Sequence, residues 1–328
     1  MARGAYILGC AGPRLGRDEA AFFRDADPWG FILFARNIED PDQLRELTGE
    51  LRGAVGWDAP ILIDQEGGRV QRMRAPHWRE YLPPLDQMAR AGPEAMAIRS
   101  QMIALELRAV GIDVNCVPSA DLVEEATHPV LRNRLYGSDV ETVVQTARAV
   151  ASGTLAGGCL PVLKHLPGYG RASVDGHLEL PRVEADLDDL ATREFAPFRA
   201  LGDIRMGMTA HVVLPAIDPG RPVTVSPDGV RAIRETIGYD GLLMTDDISM
   251  EALSGPVAER GAASLAAGCD IVLHCNGEMD DMIEIAALGP MSPGAQSRAA
   301  FALEQRRSPD GDEEALAEAL ARALGDGA

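Results

Sequence analysis

The chain has 328 residues, of which 46% are hydrophobic and 25% are charged, a composition sufficient for the core of one large domain or two smaller ones. Its formal net charge of −19 argues against nucleic acid and anionic membrane surfaces as partners, because both bind basic protein faces. No apolar run approaches the ~18 residues of a membrane-spanning helix. We therefore expect a soluble protein whose acidic surface serves solubility.

The five cysteines predict the cellular compartment. Their number is odd and no pair has the C-x2-C spacing of a zinc or redox site, so reduced thiols in a cytoplasmic protein fit best. Residues 7–10 look like a lipoprotein cleavage box, but the apolar run before them is too short for a signal peptide. A short buried strand is the preferred interpretation of that segment.

Short apolar runs recur along the chain and predict buried parallel strands. They are mostly too short for helices, and they lack the polar alternation of strands with one exposed face. The runs are residues 5–8, 30–34, 60–63, 114–117, 160–163, 206–208, 242–244 and 271–273.

Segments with helix punctuation alternate with these runs. Asp40 and Pro41 provide a cap followed by proline at the first helical position, and Gly56 lies beyond the predicted end. Further helices are predicted at residues 93–110, 139–151, 186–201, 226–237, 256–267 and 313–324.

Strands that alternate with helices predict a parallel sheet, and eight strands close a (β/α)8 TIM-type barrel. The competing architecture is a doubly wound open sheet, which usually carries a glycine-rich phosphate turn after its first strand. Residues 9–12 do not fit that turn. Without an internal repeat or long linker, we expect one catalytic domain over residues 1–328, with C-terminal helices from about residue 292 packing on the barrel.

Polar side chains follow the predicted strands at their carboxyl ends, where the active sites of barrels lie. They are Asp64, Gln65 and Glu66 after the third run, Lys164 and His165 after the fifth, Thr209 and His211 after the sixth, Asp246 and Asp247 after the seventh, and His274 after the eighth. Asp247 and Glu66 are the best candidates for purely structural roles among them.

Two local motifs carry the clearest chemistry. Residues 63–72 read IDQEGGRVQR, in which the double glycine permits a tight turn and the flanking charges can bracket a polyhydroxylated ligand. The second motif ends at Asp175 and His177, where a bend at Gly176 can bring carboxylate to imidazole. Such a pair suits a proton donor on a mobile loop, and a structural His–Asp contact is an open alternative.

These motifs resemble glycoside hydrolase family 3, in its single-domain β-N-acetylhexosaminidase branch. The resemblance rests on residues 63–72, on KHLPGYG at 164–170 with the following Asp175-Gly176-His177, and on MTDD at 244–247. Residues 30–38 and 208–213 also match the family's second and sixth strands, and the whole similarity covers about residues 8–276. Several long motifs in the right order make it specific.

The resemblance implies a retaining double displacement at the anomeric carbon. Asp246 would be the nucleophile, preferred to Asp247 because the family's nucleophile is the first Asp after Ser or Thr. His177 would be the acid/base, supported by Asp175. The sugar-binding residues that the resemblance implies are Asp64, Arg72, Lys164, His165 and His211, together with Arg134 by a less clear match.

Three loop residues depart from the family pattern. Leu166 stands where Phe is usual, Tyr169 where His is usual, and Gly176 where Ser is usual. None of them removes an assigned catalytic residue, so we expect activity to be kept and the loop conformation and rate to differ.

Cofactor, metal, substrate and assembly are also predicted. The histidines and acidic residues are dispersed and lack the spacing of a ligand set such as H-E-x-x-H, so neither a metal nor a cofactor is expected. The family and the cytoplasmic compartment together indicate peptidoglycan recycling, with a small carbohydrate or muropeptide as substrate. A monomer is expected.

Three alternatives stay open at this point. A β-glucosidase of the same family would usually carry a second domain that supplies a carboxylate acid, for which this chain leaves no room. A barrel aldolase would use Lys164 as a Schiff-base amine. A catalytically silent sugar-binding protein would not need Asp246, Asp175 and His177.

Overall fold

A computed structural model describes residues 2–174 and 179–325. Within them eight parallel strands form a closed barrel in sequential order, and the last strand pairs with the first. The strands are β1 (Gly4–Gly9), β2 (Pro28–Leu33), β3 (Ile61–Ile63), β4 (Val114–Asn115), β5 (Leu160–Leu166), β6 (Met206–Thr209), β7 (Leu242–Asp247) and β8 (Ile271–His274). The predicted (β/α)8 TIM-type barrel is confirmed, and each predicted apolar run contains or overlaps one of these strands.

Helices surround the barrel and connect successive strands. In the described ranges they are α1 (Arg17–Ala26), α2 (Pro41–Val55), α3 (Pro84–Ala109), α4 (Pro129–Arg132), α5 (Val140–Ala156), α6 (Leu187–Thr192), α7 (Phe195–Ala200), α8 (Pro227–Arg231), α9 (Val257–Ala267), α10 (Met279–Ala286), α11 (Pro293–Leu303) and α12 (Glu313–Leu324). The predicted start of α2 is correct, since the Asp40 carboxylate accepts hydrogen bonds from the amides of Asp42 and Gln43.

One predicted helix, residues 186–201, is wrong as a single element. The structure divides it into α6 and α7. Pro197 explains the break, because proline has no amide hydrogen for the carbonyl of Arg193 and its ring would clash with that carbonyl in a continuous helix. A second helix, residues 226–237, becomes α8 followed by a π-helix at Ala232–Ile237.

The interior of the barrel is filled by one apolar side chain or more from each strand. Ile7, Ile32, Leu62 and Val114 represent the first four strands in this cluster, and all are at most 1% exposed. Because these positions pack against one another rather than against water, the barrel interior is a solid core.

Helix α11 closes the amino-terminal end of that core. Its small residues Ala295, Ala299 and Ala302 belong to the same cluster as the barrel interior. The segment before α11 is fixed beside the start of β1, where the amide of Met291 donates to the carbonyl of Arg3 at 2.9 Å. With that end filled, a ligand can enter only at the carboxyl end.

The terminal helix α12 packs on the outside of the barrel. Leu320 is 8% exposed and joins a cluster that contains Leu51 of α2 and Leu107 of α3, with Leu316 and Leu324 packed beside it. Its apolar stripe therefore packs against α3 on the outside of the barrel.

The helices and the cysteines can be compared with the expectations on membrane insertion and disulfide bonding. None of the helices in the described ranges is long and apolar enough to cross a bilayer. All five cysteines are buried and unpaired.

Because α11 closes the barrel core, an Ala→Leu substitution should affect stability differently at the adjacent positions Ala299 and Ala300. Ala299→Leu forces a larger side chain into a filled core and should destabilise the protein by about 1–3 kcal/mol. Ala300→Leu makes the same change on the exposed side of α11 and should alter stability by less than about 0.5 kcal/mol. Thermal unfolding of both variants measures the difference, and equal melting temperatures would contradict the packing of α11 against the barrel core.

Candidate active site

A cavity of about 320 Å³ opens at the carboxyl end of the barrel. It brings together every predicted sugar-binding residue and the predicted nucleophile, namely Asp64, Arg72, Arg134, Lys164, His165, His211 and Asp246. The predicted acid/base pair, Asp175 and His177, lies outside the described residues. The chain before that pair does reach the cavity, because Val174 is one of the lining residues.

The loop after β3 turns back sharply and returns Arg72 to the cavity. Gly67 and Gly68 both have positive φ, at 95° and 59°, and a Cβ on Gly68 would lie 2.7 Å from Pro83. The side-chain oxygen of Gln65 then accepts hydrogen bonds from the amides of Arg72 and Met73. The double glycine and Gln65 therefore set the position of Arg72.

Opposite charges in the segment after β3, in β5 and in the β4–α5 connection form one buried network. Lys164 donates to Asp64 at 2.9 Å and contacts Glu66 at 2.6 Å. Glu66 also accepts two hydrogen bonds from Arg134, at 2.8 and 2.9 Å. Arg72 lies 3.5 Å from the other oxygen of Asp64. Three cations thus surround two carboxylates at the base of the cavity.

The network fixes the charge state of its members. Burial raises the pKa of Glu66, but the charges and hydrogen bonds of Arg134 and Lys164 together outweigh burial, so the net shift is downward. Burial would likewise raise the pKa of Asp64, but Lys164 and Arg72 bring it below the usual value. Burial alone would lower the pKa of Lys164, and the two carboxylates raise it instead. The carboxylates are ionised and the lysine is protonated at neutral pH.

His165 is held by a buried carboxylate that the sequence analysis missed. Asp121 accepts from the His165 ring nitrogen Nδ1 at 2.8 Å, from the His165 amide at 3.3 Å and from Ser119 Oγ at 3.1 Å. Its other oxygen accepts from the amide of Tyr169 at 3.0 Å. Since a carboxylate accepts, Nδ1 carries the hydrogen and Nε2 is left for a ligand. The sequence signal that could have identified Asp121 was its position, as a polar residue soon after β4.

Tyr169, one of the departures from the family pattern, packs its ring against His165. The two ring centroids are 5.0 Å apart and the planes are perpendicular. Leu166, a second departure, is fully buried in an apolar cluster that also contains Phe198. The aromatic ring of Tyr169 therefore packs against an imidazole ring, and the aliphatic side chain of Leu166 packs among other apolar side chains. Gly176 lies outside the described residues.

His211 has both ring nitrogens engaged within the protein. Nε2 lies 2.9 Å from the carbonyl oxygen of Asp247, which can only accept, so Nε2 carries the hydrogen. Nδ1 then accepts from the hydroxyl of Thr224 at 2.8 Å. Burial lowers the pKa of His211, in keeping with a neutral ring. A hydrogen bond from His211 to a sugar would require one of these contacts to break.

The two neighbouring aspartates at the end of β7 differ in how their carboxylates are used. Asp247 accepts from the amide and hydroxyl of Ser249 and from the amide of Cys275. Asp246 accepts only from the adjacent amide, at its Oδ1, and no donor in the described ranges meets its Oδ2. Asp247 thus joins the segments that follow β7 and β8, whereas Asp246 presents a free oxygen to the cavity.

The surroundings of Asp246 favour its ionised form. Burial would raise its pKa, but His165, His211 and Lys164 together with the amide hydrogen bond bring it below the usual value. A half-buried carboxylate that is ionised at neutral pH and has one free oxygen can act as a nucleophile.

Several residues singled out in the sequence do not line the cavity. Thr209 bonds to Thr224, and His274 is fully buried 3.4 Å from Asp281. Glu66 lies behind the cavity wall, where it orients the two cations that do line the cavity. In the described ranges no group of three or more His, Cys, Asp or Glu side chains is arranged to hold a metal ion.

Known proteins resemble this chain in sequence. Residues 13–301 match the family described as the glycosyl hydrolase family 3 N terminal domain. A protein named Beta-hexosaminidase from Methylococcus capsulatus is 39% identical over 274 residues, which cover 81% of this chain and 80% of that relative.

Solved structures are similar over nearly the whole chain. NagZ from Neisseria gonorrhoeae, solved in complex with N-trifluoroacetyl-D-glucosamine, has a TM-score of 0.84 at 30% identity, covering 99% of this chain and 97% of that one. A glycoside hydrolase family 3 beta-N-acetylglucosaminidase from Paenibacillus sp. str. FPU-7 has a TM-score of 0.87 at 27% identity, covering 98% of this chain and 67% of that one.

The buried network predicts a pH-dependent loss of stability in Glu66→Gln. The neutral amide cannot balance Arg134 and Lys164, so the variant should be less stable by about 3 kcal/mol at neutral pH. The folded-state pKa of Glu66 is depressed, so its contribution is present above the unfolded pKa of about 4.3 and is lost as the pH falls below it. The deficit, measured by urea unfolding, should be constant from neutral pH to about pH 5 and narrow below about pH 4.

Glu80→Gln is the matched control for this measurement. Glu80 pairs with Arg74 on the surface, with 48% of its side chain exposed, and its replacement should change stability little. Equal losses in the two variants, or a Glu66→Gln deficit that does not vary with pH, would contradict the buried ion network.

Proposed function

Since the chain belongs to glycosyl hydrolase family 3, we propose that it is a retaining exo-β-N-acetylglucosaminidase, with Asp246 as nucleophile and a His177–Asp175 acid/base pair. The chain is a glycoside hydrolase, and the names of its relatives support β-N-acetylhexosaminidase activity. The proposal rests chiefly on one observation: Asp246 carries a free, ionised carboxylate oxygen in a cavity that is also lined by hydrogen-bonding cations, Asp64 and Asp247.

The form of the cavity suits the end of a sugar chain. The barrel core and α11 close it from below, so a ligand enters from one side only. At its base Asp64 can accept hydrogen bonds from sugar hydroxyls, while Arg134 and Lys164 can donate to them. Because their side chains are between 1% and 17% exposed, these groups are held in fixed positions by packing and by one another.

In the first step, Oδ2 of Asp246 attacks the anomeric carbon while His177 gives a proton to the departing glycosidic oxygen. A covalent glycosyl-enzyme forms and the aglycone leaves. In the second step, His177 removes a proton from water, the water oxygen attacks the same carbon from the opposite face, and the Asp246 carboxylate is released. Two inversions give net retention of the β configuration.

Asp121 and Lys164 support this chemistry from the protein side. Asp121 fixes the ring of His165 so that Nε2 can meet a sugar hydroxyl. The amide of Tyr169 donates to the same carboxylate, which fixes the start of the segment that leads to His177. The low pKa of Asp246 keeps the nucleophile ionised while His177 supplies the proton.

The charge state of Lys164 argues against the aldolase alternative. A Schiff base requires a neutral amine, and Asp64 and Glu66 raise the pKa of Lys164 and hold it protonated. The residue is therefore assigned to binding.

The substrate and setting are proposed from the family and from the cysteine usage. We assign the enzyme to peptidoglycan recycling in the cytoplasm, where it would release N-acetylglucosamine that is β-linked to an anhydro-muramyl sugar. A monomeric state stays a prediction.

A pair of aryl substrates tests the activity. The wild-type enzyme should hydrolyse 4-nitrophenyl β-N-acetylglucosaminide at least about tenfold faster, in kcat/KM, than 4-nitrophenyl β-glucoside. Preference for the glucoside would move the assignment to a β-glucosidase of the same family. No release from either substrate by folded protein would favour a silent sugar-binding protein.

Replacement of the two aspartates tests the nucleophile. Asp246→Ala should lose about 10³-fold or more of kcat. Added azide should restore release from an activated aryl substrate and give the α-glycosyl azide, because azide enters the space vacated on the α face. Asp247→Ala is the control, since it can lose activity through loop disorder but should give no α-azide. An α-azide from Asp247→Ala alone would reverse the assignment.

The dependence on the leaving group tests His177. His177→Ala should slow hydrolysis of a methylumbelliferyl or poorer leaving group by about 10²-fold or more and change kcat/KM for a 2,4-dinitrophenyl substrate much less, because that group needs no proton to depart. An equal loss on all substrates would contradict the acid/base role.

A further inference from the structure

The segment 167–174 connects β5 to the proposed acid/base pair. Its last residue, Val174, lines the cavity and lies three positions before His177. Arg171 is the only charged residue in this segment. Contacts that fix the segment therefore limit where the chain that continues from it can place its proton donor.

On one side, the β4–α5 connection holds the segment through its backbone. The hydroxyl of Thr127 donates to the carbonyl of Gly170 at 2.6 Å, and the amide of His128 donates to the carbonyl of Ala172 at 2.9 Å. A Cβ on Gly170 would clash with the carbonyl of Leu122, so the two backbones are in direct contact at that point. These contacts do not depend on the charged side chain of the segment.

On the other side, Arg171 ties the segment to α6 and to the residue before α7. One terminal nitrogen of Arg171 donates to Asp189 of α6 at 2.6 Å. Its Nε lies 2.7 Å from Oε1 of Glu194, which directly precedes α7. The backbone approaches the same place, because a Cβ on Gly168 would lie 3.0 Å from the carbonyl oxygen of Glu194. Arg171 thus joins the segment to both helices through charge.

Glu194 is buried with few partners. Its side chain is 2% exposed, and its Oε2 meets no hydrogen-bond donor among the described residues. In those ranges Arg171 is the one cation within ion-pair distance of it, and burial raises the pKa of Glu194 although Arg171 acts in the opposite direction. A buried carboxylate with so few partners contributes little to folding. What it does provide is a fixed charge that holds the guanidinium of Arg171 in one place.

We propose that Arg171 and Glu194 are positioning residues for proton transfer: their buried ion pair fixes the segment 167–174 so that His177 can donate to the departing oxygen. The inference rests on the proposed function, since it requires His177 as the acid/base. Neither Arg171 nor Glu194 lines the cavity, so both act through the chain between them and His177 rather than on the sugar. Errors of about 1 Å in the placement of a catalytic group can cost about 10²-fold in rate.

The test uses two substrates that differ in their need for a proton. The measured quantity is the ratio of kcat/KM for 4-methylumbelliferyl β-N-acetylglucosaminide to that for the 2,4-dinitrophenyl glycoside, divided by the same ratio in the wild type. Arg171→Gln and Glu194→Gln should each lower it by about 5- to 50-fold, because the dinitrophenyl group departs without a proton. A merely structural role would slow both substrates equally and leave the ratio unchanged. That result in both folded variants overturns the proposal.

Arg199→Gln is the matched control on the same helix. Arg199 is an exposed residue of α7 that donates to the carbonyls of Ala191 and Thr236, so its loss should leave the ratio unchanged. An equal fall in Arg199→Gln would mean that any loosening of α7 suffices, which overturns the specific role of the ion pair. Thermal unfolding verifies that each variant is folded. The Arg171 side chain is 24% exposed, so Arg171→Gln keeps the test available if Glu194→Gln does not fold.

Combination with His177→Ala separates this inference from the proposed function. If the ion pair acts through His177, Arg171→Gln should lower the ratio no further once His177 is replaced, because residues that act as a unit are not additive. A full further fall in the double variant overturns the proposal. A ratio lowered by His177→Ala but not by either ion-pair variant overturns the positioning role alone. A ratio that His177→Ala leaves unchanged overturns the proposed acid/base and the positioning role together.

Discussion

The site depends on a lysine that is buried between two carboxylates. Lys164 is 1% exposed, and an ammonium group in that position is stable only because Asp64 and Glu66 balance its charge. Glu66 in turn orients Arg134, and Asp64 lies beside Arg72. Removing one member leaves an uncompensated charge, so this network couples the stability of the barrel mouth to its capacity to bind a polar ligand.

The barrel makes that network possible by bringing distant parts of the chain together. Asp64 and Glu66 follow β3, whereas Lys164 lies a hundred positions further on, in β5. Parallel strands end on one face, so polar residues at their carboxyl ends converge there while apolar residues fill the interior below. The closed, apolar lower half buries the base of the cavity, and hydrogen bonds and charge interactions are stronger in such surroundings than in water.

Charge is distributed within the cavity by depth. The deep cations are matched by carboxylates, whereas Arg36 and Arg69 near the mouth donate to backbone carbonyls. Asp246 lies among the deep groups with one free oxygen, and its neighbour Asp247 is occupied in joining β7 to the segment after β8. Two adjacent aspartates therefore differ in their hydrogen bonding, because only Asp247 joins these two segments.

The sequence by itself determined the eight strands, the barrel and several of the residues that meet in the cavity. Short apolar runs and the polar residues after them are local signals, so Asp64, Lys164 and Asp246 could be selected without a structure. It did not reveal the break at Pro197 between α6 and α7, although the proline was visible, because the surrounding residues still read as one amphipathic helix.

Only the tertiary structure decided how each side chain is used. Glu66 lies behind the cavity, both nitrogens of His211 are occupied, and Asp121 holds His165 across 44 positions of sequence. These outcomes are decided by long-range pairing, because a hydrogen bond between residues far apart in sequence leaves no periodic or local pattern in the chain.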